Sequence, residues 1–190
     1  MSRSPAPRSL ARLEALDDDK NVTVVIETPK GGHTKLAFDE KRDWFVVKKV
    51  LPEGMSFPFD FGFIPSTLGD DGDPLDILVL MDEPVPMGTI VPTRLLGVIE
   101  GKQTEVDGES AENDRLIGAA CASQLFEEVT KLSDLPSNVV KEIERFFVTY
   151  NEEEGKRFEP KGCHGRRRAS ALLETGIRRY RRKRAPTAKR

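Results

Sequence analysis

Cysteine is scarce in this chain. Only Cys121 and Cys163 occur among 190 residues, far apart and outside any C-x-x-C spacing. That excludes a disulfide framework and argues against a zinc site. A reducing cytoplasm is the expected compartment. Histidine is as sparse: His33 and His164 sit alone in Gly-rich segments and read as surface residues. No apolar run approaches the roughly 20 residues of a membrane span. The N-terminal residues carry no apolar signal core, so no membrane partner is expected. A G-x-x-x-x-G-K-[ST] phosphate loop is absent too. Neither is there an EF-hand. Counted from Asp71, the twelfth position is Asp82 rather than Glu, and the glycine falls second rather than sixth.

Charge is plentiful but unevenly spread. The formal net charge is −2, yet residues 166–190 hold eleven Lys or Arg against the single acid Glu174. The rest of the chain is therefore strongly acidic. A basic end of this kind can meet a polyanion or an acidic surface, or stay solvated. The acidic remainder argues against nucleic acid as the partner.

Length and composition fit one domain with a sizeable core. Residues 1–20 mix Ser, Pro, Arg and an Asp17–Asp19 run, and read as a flexible arm. The domain spans 21–180, and 181–190 form a basic tail. Residues 22–26 are β-branched and strand-like, and 34–38 return after a Gly-rich turn as the second arm of a hairpin. Further strands are expected over 44–51, 76–81, 89–100 and 115–121, with 101–114 as a loop. Pro92 points to an edge or a bulge. Trp44, the phenylalanines and Cys121 read as core. Val139, Ile143, Phe146, Phe147 and Tyr150 recur on one helical face, which predicts a helix over 136–150 with Ser133 and Asp134 as capping candidates. A second helix is expected over 169–180. Strands followed by helices give an α+β class, mainly β, built on a small barrel.

The chemistry concentrates at Asp70-Asp71-Gly72-Asp73-Pro74-Leu75-Asp76, four carboxylates in seven positions. They repel one another unless a cation sits among them. Hard divalent ions such as Mg²⁺ prefer carboxylate oxygen. Gly72 permits a bend, Pro74 stiffens the chain beyond it, and the apolar run after Asp76 can anchor the loop.

Asp71-Gly72-Asp73-Pro74-Leu75-Asp76-Ile77 resembles the signature of soluble family I inorganic pyrophosphatases. Val25–Pro29, Lys35, Phe57–Pro65, Arg94–Val98 and Phe146–Tyr150 are similar to that family's other landmarks, in the same order. The resemblance implies a five-stranded OB-like β-barrel with flanking C-terminal helices. It implies hydrolysis of pyrophosphate with several Mg²⁺ ions, and a homo-oligomer as in many bacterial members. By position, Asp71 and Asp76 would ligate metal, with Glu27, Asn113 and Asp114 as further metal-site residues. Asp73 would be the general base. Lys35, Lys49, Arg115 and Tyr150 would hold phosphate oxygens, Tyr150 also serving catalysis.

Several pocket positions depart from the family pattern. Ala37 replaces a Glu, Lys49 an Arg, Phe57 and Phe61 two tyrosines, Asn113 a carboxylate and Asn151 a lysine. A further acid of the family has no single counterpart in the lengthened 101–112 segment, where Asp107, Glu109 and Glu112 are candidates. Each lost donor costs about 10² to 10³ in turnover where it acts alone. A weakened enzyme is one expectation. A relative retuned to bind phosphate or another polyanion is the alternative.

Overall fold

The structure is a computed structural model, and it describes residues 9–185. Five strands close a barrel. β1 (Val22–Thr28) pairs with β4 (Asp60–Ile64), β4 with β5 (Leu75–Leu80), and β5 runs parallel to β8 (Arg115–Ala120). β8 then pairs with the long β6 (Ile90–Thr104), which returns to β1 and closes the ring. Closure pairs every strand of the ring on both sides, so none is left as a free edge. β2 (Thr34–Asp39) and β3 (Trp44–Val50) form a separate two-stranded sheet. β7 (Ser110–Glu112) and β9 (Arg157–Gly165) extend the far end of β6. α1 (Ser137–Glu152) and α2 (Arg166–Arg184) pack outside.

Alternation along the strands sends side chains to two apolar clusters. Ile77 and Val79 join Ile26, Ile64, Leu116 and the α2 residues Ala169 and Leu173. Leu78 and Leu80 join Phe61, Ile117 and the α1 residues Ile143 and Phe147. Both faces of the wall are thus covered, which is why β1, β4 and β8 are buried throughout.

Some local expectations change. The strand at 34–38 pairs with β3, not with β1, because β1 is taken up by β4 and β6 on its two edges. The expected loop 101–114 is largely a hairpin, with β6 reaching Thr104 and β7 pairing back onto it. β9 carries Pro160 and two glycines and has no alternating pattern; pairing with β6 makes it a strand. Asp134 does not cap α1. Its carboxylate accepts from the backbone N–H groups of Thr130 and Lys131 and closes a short 3₁₀ turn, while Pro136 precedes α1. Trp44 is 55% exposed, since the β2–β3 sheet leaves its ring in solvent near Arg42. Cys121 is exposed as well, lying just past the end of β8.

The ends are tied in further than composition suggests. From residue 9 the N-terminal segment packs on the barrel, with Ala11 and Ala15 buried and Leu16 bridging to Val22. Ser66 fixes it, its hydroxyl donating to the Leu13 carbonyl at 2.8 Å. α2 carries the first part of the expected basic tail as helix, to Arg184. Residues 1–8 and 186–190 lie outside the described residues.

Candidate active site

An open pocket of about 1620 Å³ lies where β1, β2, β4, β6 and α1 meet the 68–76 turn. Glu27, Lys35, Asp71, Asp73, Asp76, Asn113, Arg115 and Tyr150 all line it. These residues are far apart in sequence, and only the closed barrel brings them together.

The acidic turn is held at both ends. Thr67 Oγ donates to the Ile64 carbonyl at 2.6 Å and accepts from Leu75 N–H at 3.0 Å. Gly69 N–H donates to the Asp73 carbonyl at 2.7 Å, and Asp73 N–H to Asp71 Oδ1 at 3.1 Å. Gly72 sits at φ +92°, a left-handed conformation that a side chain would strain. Asp71 opens to solvent at the pocket rim, but protein crowds its carboxyl on one side. That loss of hydration raises its pKa first; the backbone N–H of Asp73 partly opposes it, and the charges of Asp76 and Asp73 add to it.

Deeper in, Glu27 is buried on β1. Its carboxylate accepts from Phe38 N–H at 2.7 Å and pairs with the Lys35 ammonium at 3.3 Å. Burial nevertheless raises its pKa, with Lys35 and the Phe38 N–H pulling the other way. Lys35 rests 3.8 Å above the ring of Phe61. The faces of Phe57 and Phe61 therefore hold an ammonium by cation–π attraction. Lys49 faces Lys35 across the β2–β3 ladder but stands one step back from the pocket. It lies over the ring of Tyr150, 3.4 Å from the centroid, and pairs with Glu154 at 2.9 Å. Burial drives the Tyr150 phenol well above its ordinary pKa, and Glu154 adds to the shift. Tyr150 thus remains a protonated donor throughout the physiological range.

The opposite wall belongs to β6 and β8. Arg115 is 5% exposed and donates to Asp76 Oδ2 at 2.6 Å. The same Nη1 also donates to Asn113 Oδ1. Asn113 Nδ2 in turn donates to Gln103 Oε1 at 2.8 Å. Asp114 is not brought to the carboxylates. Strand alternation sends it to the other side from Asn113 and Arg115, where it accepts from Gly101 N–H at 3.2 Å. There, burial first and then Glu100 and Glu112 raise its pKa, with the Gly101 N–H opposing them. Of the acids weighed for the 101–112 segment, Glu109 lines the pocket. Glu112 instead pairs with Lys161 at 2.5 Å, and Asp107 accepts from Glu109 N–H at 3.1 Å.

This carboxylate-and-cation pocket on a closed barrel can be compared with known proteins. An inorganic pyrophosphatase family model matches residues 24–181. The chain belongs to the inorganic pyrophosphatase family. It is 37% identical to the inorganic pyrophosphatase of Geobacillus stearothermophilus over 163 residues, covering 86% of this chain and 96% of that one. It is 35% identical to that of Thermus thermophilus over 153 residues, covering 80% and 85%. The crystal structure of the Thermus thermophilus protein superposes with a TM-score of 0.83 at 32% identity, covering 92% of this chain and 99% of that one. The Helicobacter pylori inorganic pyrophosphatase gives 0.81 at 32%, covering 90% and 99%.

Within this family member, sequence reading missed several pocket residues, among them one linked polar set. Gln103, Glu105 and Lys156 all line the site. Gln103 Nε2 donates to Glu105 at 2.6 Å, and Lys156 pairs with Glu105 at 3.0 Å and with Glu154 at 3.5 Å. Burial works against the Lys156 ammonium, but the two carboxylates outweigh it and raise its pKa. The available signal was the spacing of two between Gln103 and Glu105 and between Asn113 and Arg115, which places each pair on one strand face. Asn151 lines the pocket as a buried neutral amide and donates to the Phe147 carbonyl at 2.8 Å.

The donor set suits Mg²⁺. Asp71, Asp73 and Asp76 offer hard carboxylate oxygens, and the charges of Asp73 and Asp76 are felt at Asp71. No three acidic, His or Cys side chains among the described residues close into an all-protein cage. Mg²⁺ does not ask for one, because it keeps several waters and takes one or two carboxylates.

Proposed function

We infer that this chain hydrolyses inorganic pyrophosphate to two phosphates, with Mg²⁺ bound at the acidic turn. The observation that carries this reading is one pocket that holds carboxylates and fixed cations together, Lys35 on Glu27 and Arg115 on Asp76 with Asp71 and Asp73 lining the same space, in a chain of this family. Pyrophosphate is a compact polyanion that needs both: cations for its oxygens and carboxylates for the metal that travels with it.

Asp71 and Asp76 would hold Mg²⁺, with Glu27 as a further carboxylate at the pocket floor. When bound, Mg²⁺ lowers the pKa of a water it holds and draws charge off phosphoryl oxygens. Asp73 accepts the proton of the attacking water. The water oxygen bonds to one phosphorus as the bridging P–O bond breaks, and the second phosphate leaves. Lys35 and Arg115 hold phosphate oxygens by charge. The protonated Tyr150 phenol donates to one, and Lys49 supports Tyr150 from behind. Catalysis on such a centre is largely positioning and charge neutralisation. A cytoplasmic homo-oligomer completes the reading; the two free, exposed cysteines fit a reducing compartment.

The test is phosphate release from Mg-pyrophosphate by the full chain. Asp73→Ala should lower turnover about 10²- to 10⁴-fold, the range of a general base. A wild type no faster than Asp73→Ala would sink the enzymatic reading. It would leave the alternative that the Arg115–Asp76 pair favours, a retained phosphate pocket that binds without turning over.

A further inference from the structure

The two walls of the pocket differ in kind. One is the turn carrying Asp71 and Asp73. The other is Gln103, Asn113 and Arg115, and its side-chain oxygens are already engaged. Asn113 Oδ1 accepts from Arg115, and Gln103 Oε1 accepts from Asn113 Nδ2 at 2.8 Å. Glu105, the nearest carboxylate to them in the hydrogen-bond network, is committed to Gln103 and Lys156 at 2.6 and 3.0 Å. Arg115 is buried, and its guanidinium carries only donors, so it offers a metal no ligand atom. It holds Asp76 at 2.6 Å from the same nitrogen that reaches Asn113.

A metal ion on this wall would need oxygen ligands carrying negative charge. It would find neutral amides with their oxygens turned to N–H donors, and a fixed positive charge beside them. We propose that the Gln103–Asn113–Arg115 wall excludes metal, and that Arg115 is the resident cation there, facing one phosphoryl group while Mg²⁺ is confined to the acidic turn that ends in Asp76. The orientation of the amides carries the argument. Asn113 uses its oxygen on Arg115 and its nitrogen on Gln103, so the three side chains lock one another into a single arrangement. The phosphoryl part of this inference rests on the pyrophosphatase reading; the exclusion of metal does not.

Mn²⁺ binding to the metal-stripped full chain tests it, with free Mn²⁺ counted by electron paramagnetic resonance. Gln103→Ala/Asn113→Ala should bind the same number of ions as wild type, with affinity changed less than about threefold. Gln103→Asp/Asn113→Asp should bind one additional Mn²⁺ per chain. A site lost, or weakened about tenfold or more, in the alanine pair would make the amides ligands and overturn the proposal. An aspartate pair that folds, by circular dichroism, and gains no ion would also overturn it. Should the aspartate pair fail to fold, the alanine pair decides alone. Absent phosphate release by wild type with these counts intact would reject the enzymatic reading and leave the metal-free wall standing.

Discussion

Lys35→Met isolates the buried charge at the floor of the pocket. The Lys35 and Glu27 side chains are 15% and 8% exposed and 3.3 Å apart. Breaking a buried pair by removing one partner costs about 3–5 kcal/mol, because the other charge is left uncompensated. Glu27 keeps its Phe38 N–H bond at 2.7 Å, which places the expected loss at the lower end, about 3 kcal/mol at pH 7.5. For a chain of this size that is a drop of about 6–12 °C in Tm. Glu27 sets the sign of the pH dependence. Burial already raises its folded pKa above the ordinary 4.5, and Lys35 opposes that rise. Without Lys35 the folded pKa climbs further. The cost is therefore full above the new folded pKa and fades as pH falls toward the ordinary value, where Glu27 is protonated in both states. At pH 4 the lost cation–π contact with Phe61 is what remains, about 1–2 kcal/mol for a largely desolvated ammonium. Urea unfolding in chelator at pH 7.5 and pH 4 measures both. Glu27→Gln/Lys35→Met should recover most of the loss at pH 7.5. Equal losses at the two pH values, or a double variant no more stable than the single, would refute the reasoning.

Gly62→Ala places a Cβ 2.1 Å from the Val25 carbonyl oxygen, across the β1–β4 ladder, where backbone cannot yield cheaply. Its cost should exceed the usual overpacking penalty of about 1–3 kcal/mol, read as a lowered urea midpoint or loss of soluble protein. Asp82→Asn tests an exposed turn. Ser123 donates to the Asp82 carboxylate, as do the Gln124 and Leu125 N–H groups, and together they hold its pKa below the ordinary 3.8. The variant should be less stable than wild type at pH 7. The gap should be full above pH 3.8 and close as pH falls through the lower folded value, seen as converging acid-unfolding curves.

The acidic stretch 70–76 was legible because so many carboxylates, with a glycine and a proline, leave few physical options. The landmarks around it were equally local, and they carried the family. The helix at 137–152 was visible in its apolar spacing, since a surface helix must bury one face. Partners were not visible. Nothing local to residues 22–38 says that β1 will be claimed on both edges by distant strands, leaving β2 to β3. β9 has no strand pattern of its own and exists because the end of β6 offers it a ladder.

The sequence by itself determined the acidic turn with its three aspartates, and its ordered family landmarks pointed to Glu27, Lys35 and the aromatic run. The turn follows from short-range rules of charge and backbone chemistry, and the other positions from the resemblance. Only the tertiary structure decided which of them act together. It turned Asp114 away, drew Gln103 and Lys156 in and set Lys49 behind Tyr150. It also bound Arg115 to Asp76 and Asn113 through a single nitrogen. Facing and distance between residues far apart in sequence arise when the barrel closes, and a pattern along the chain carries no record of which side of the wall meets which.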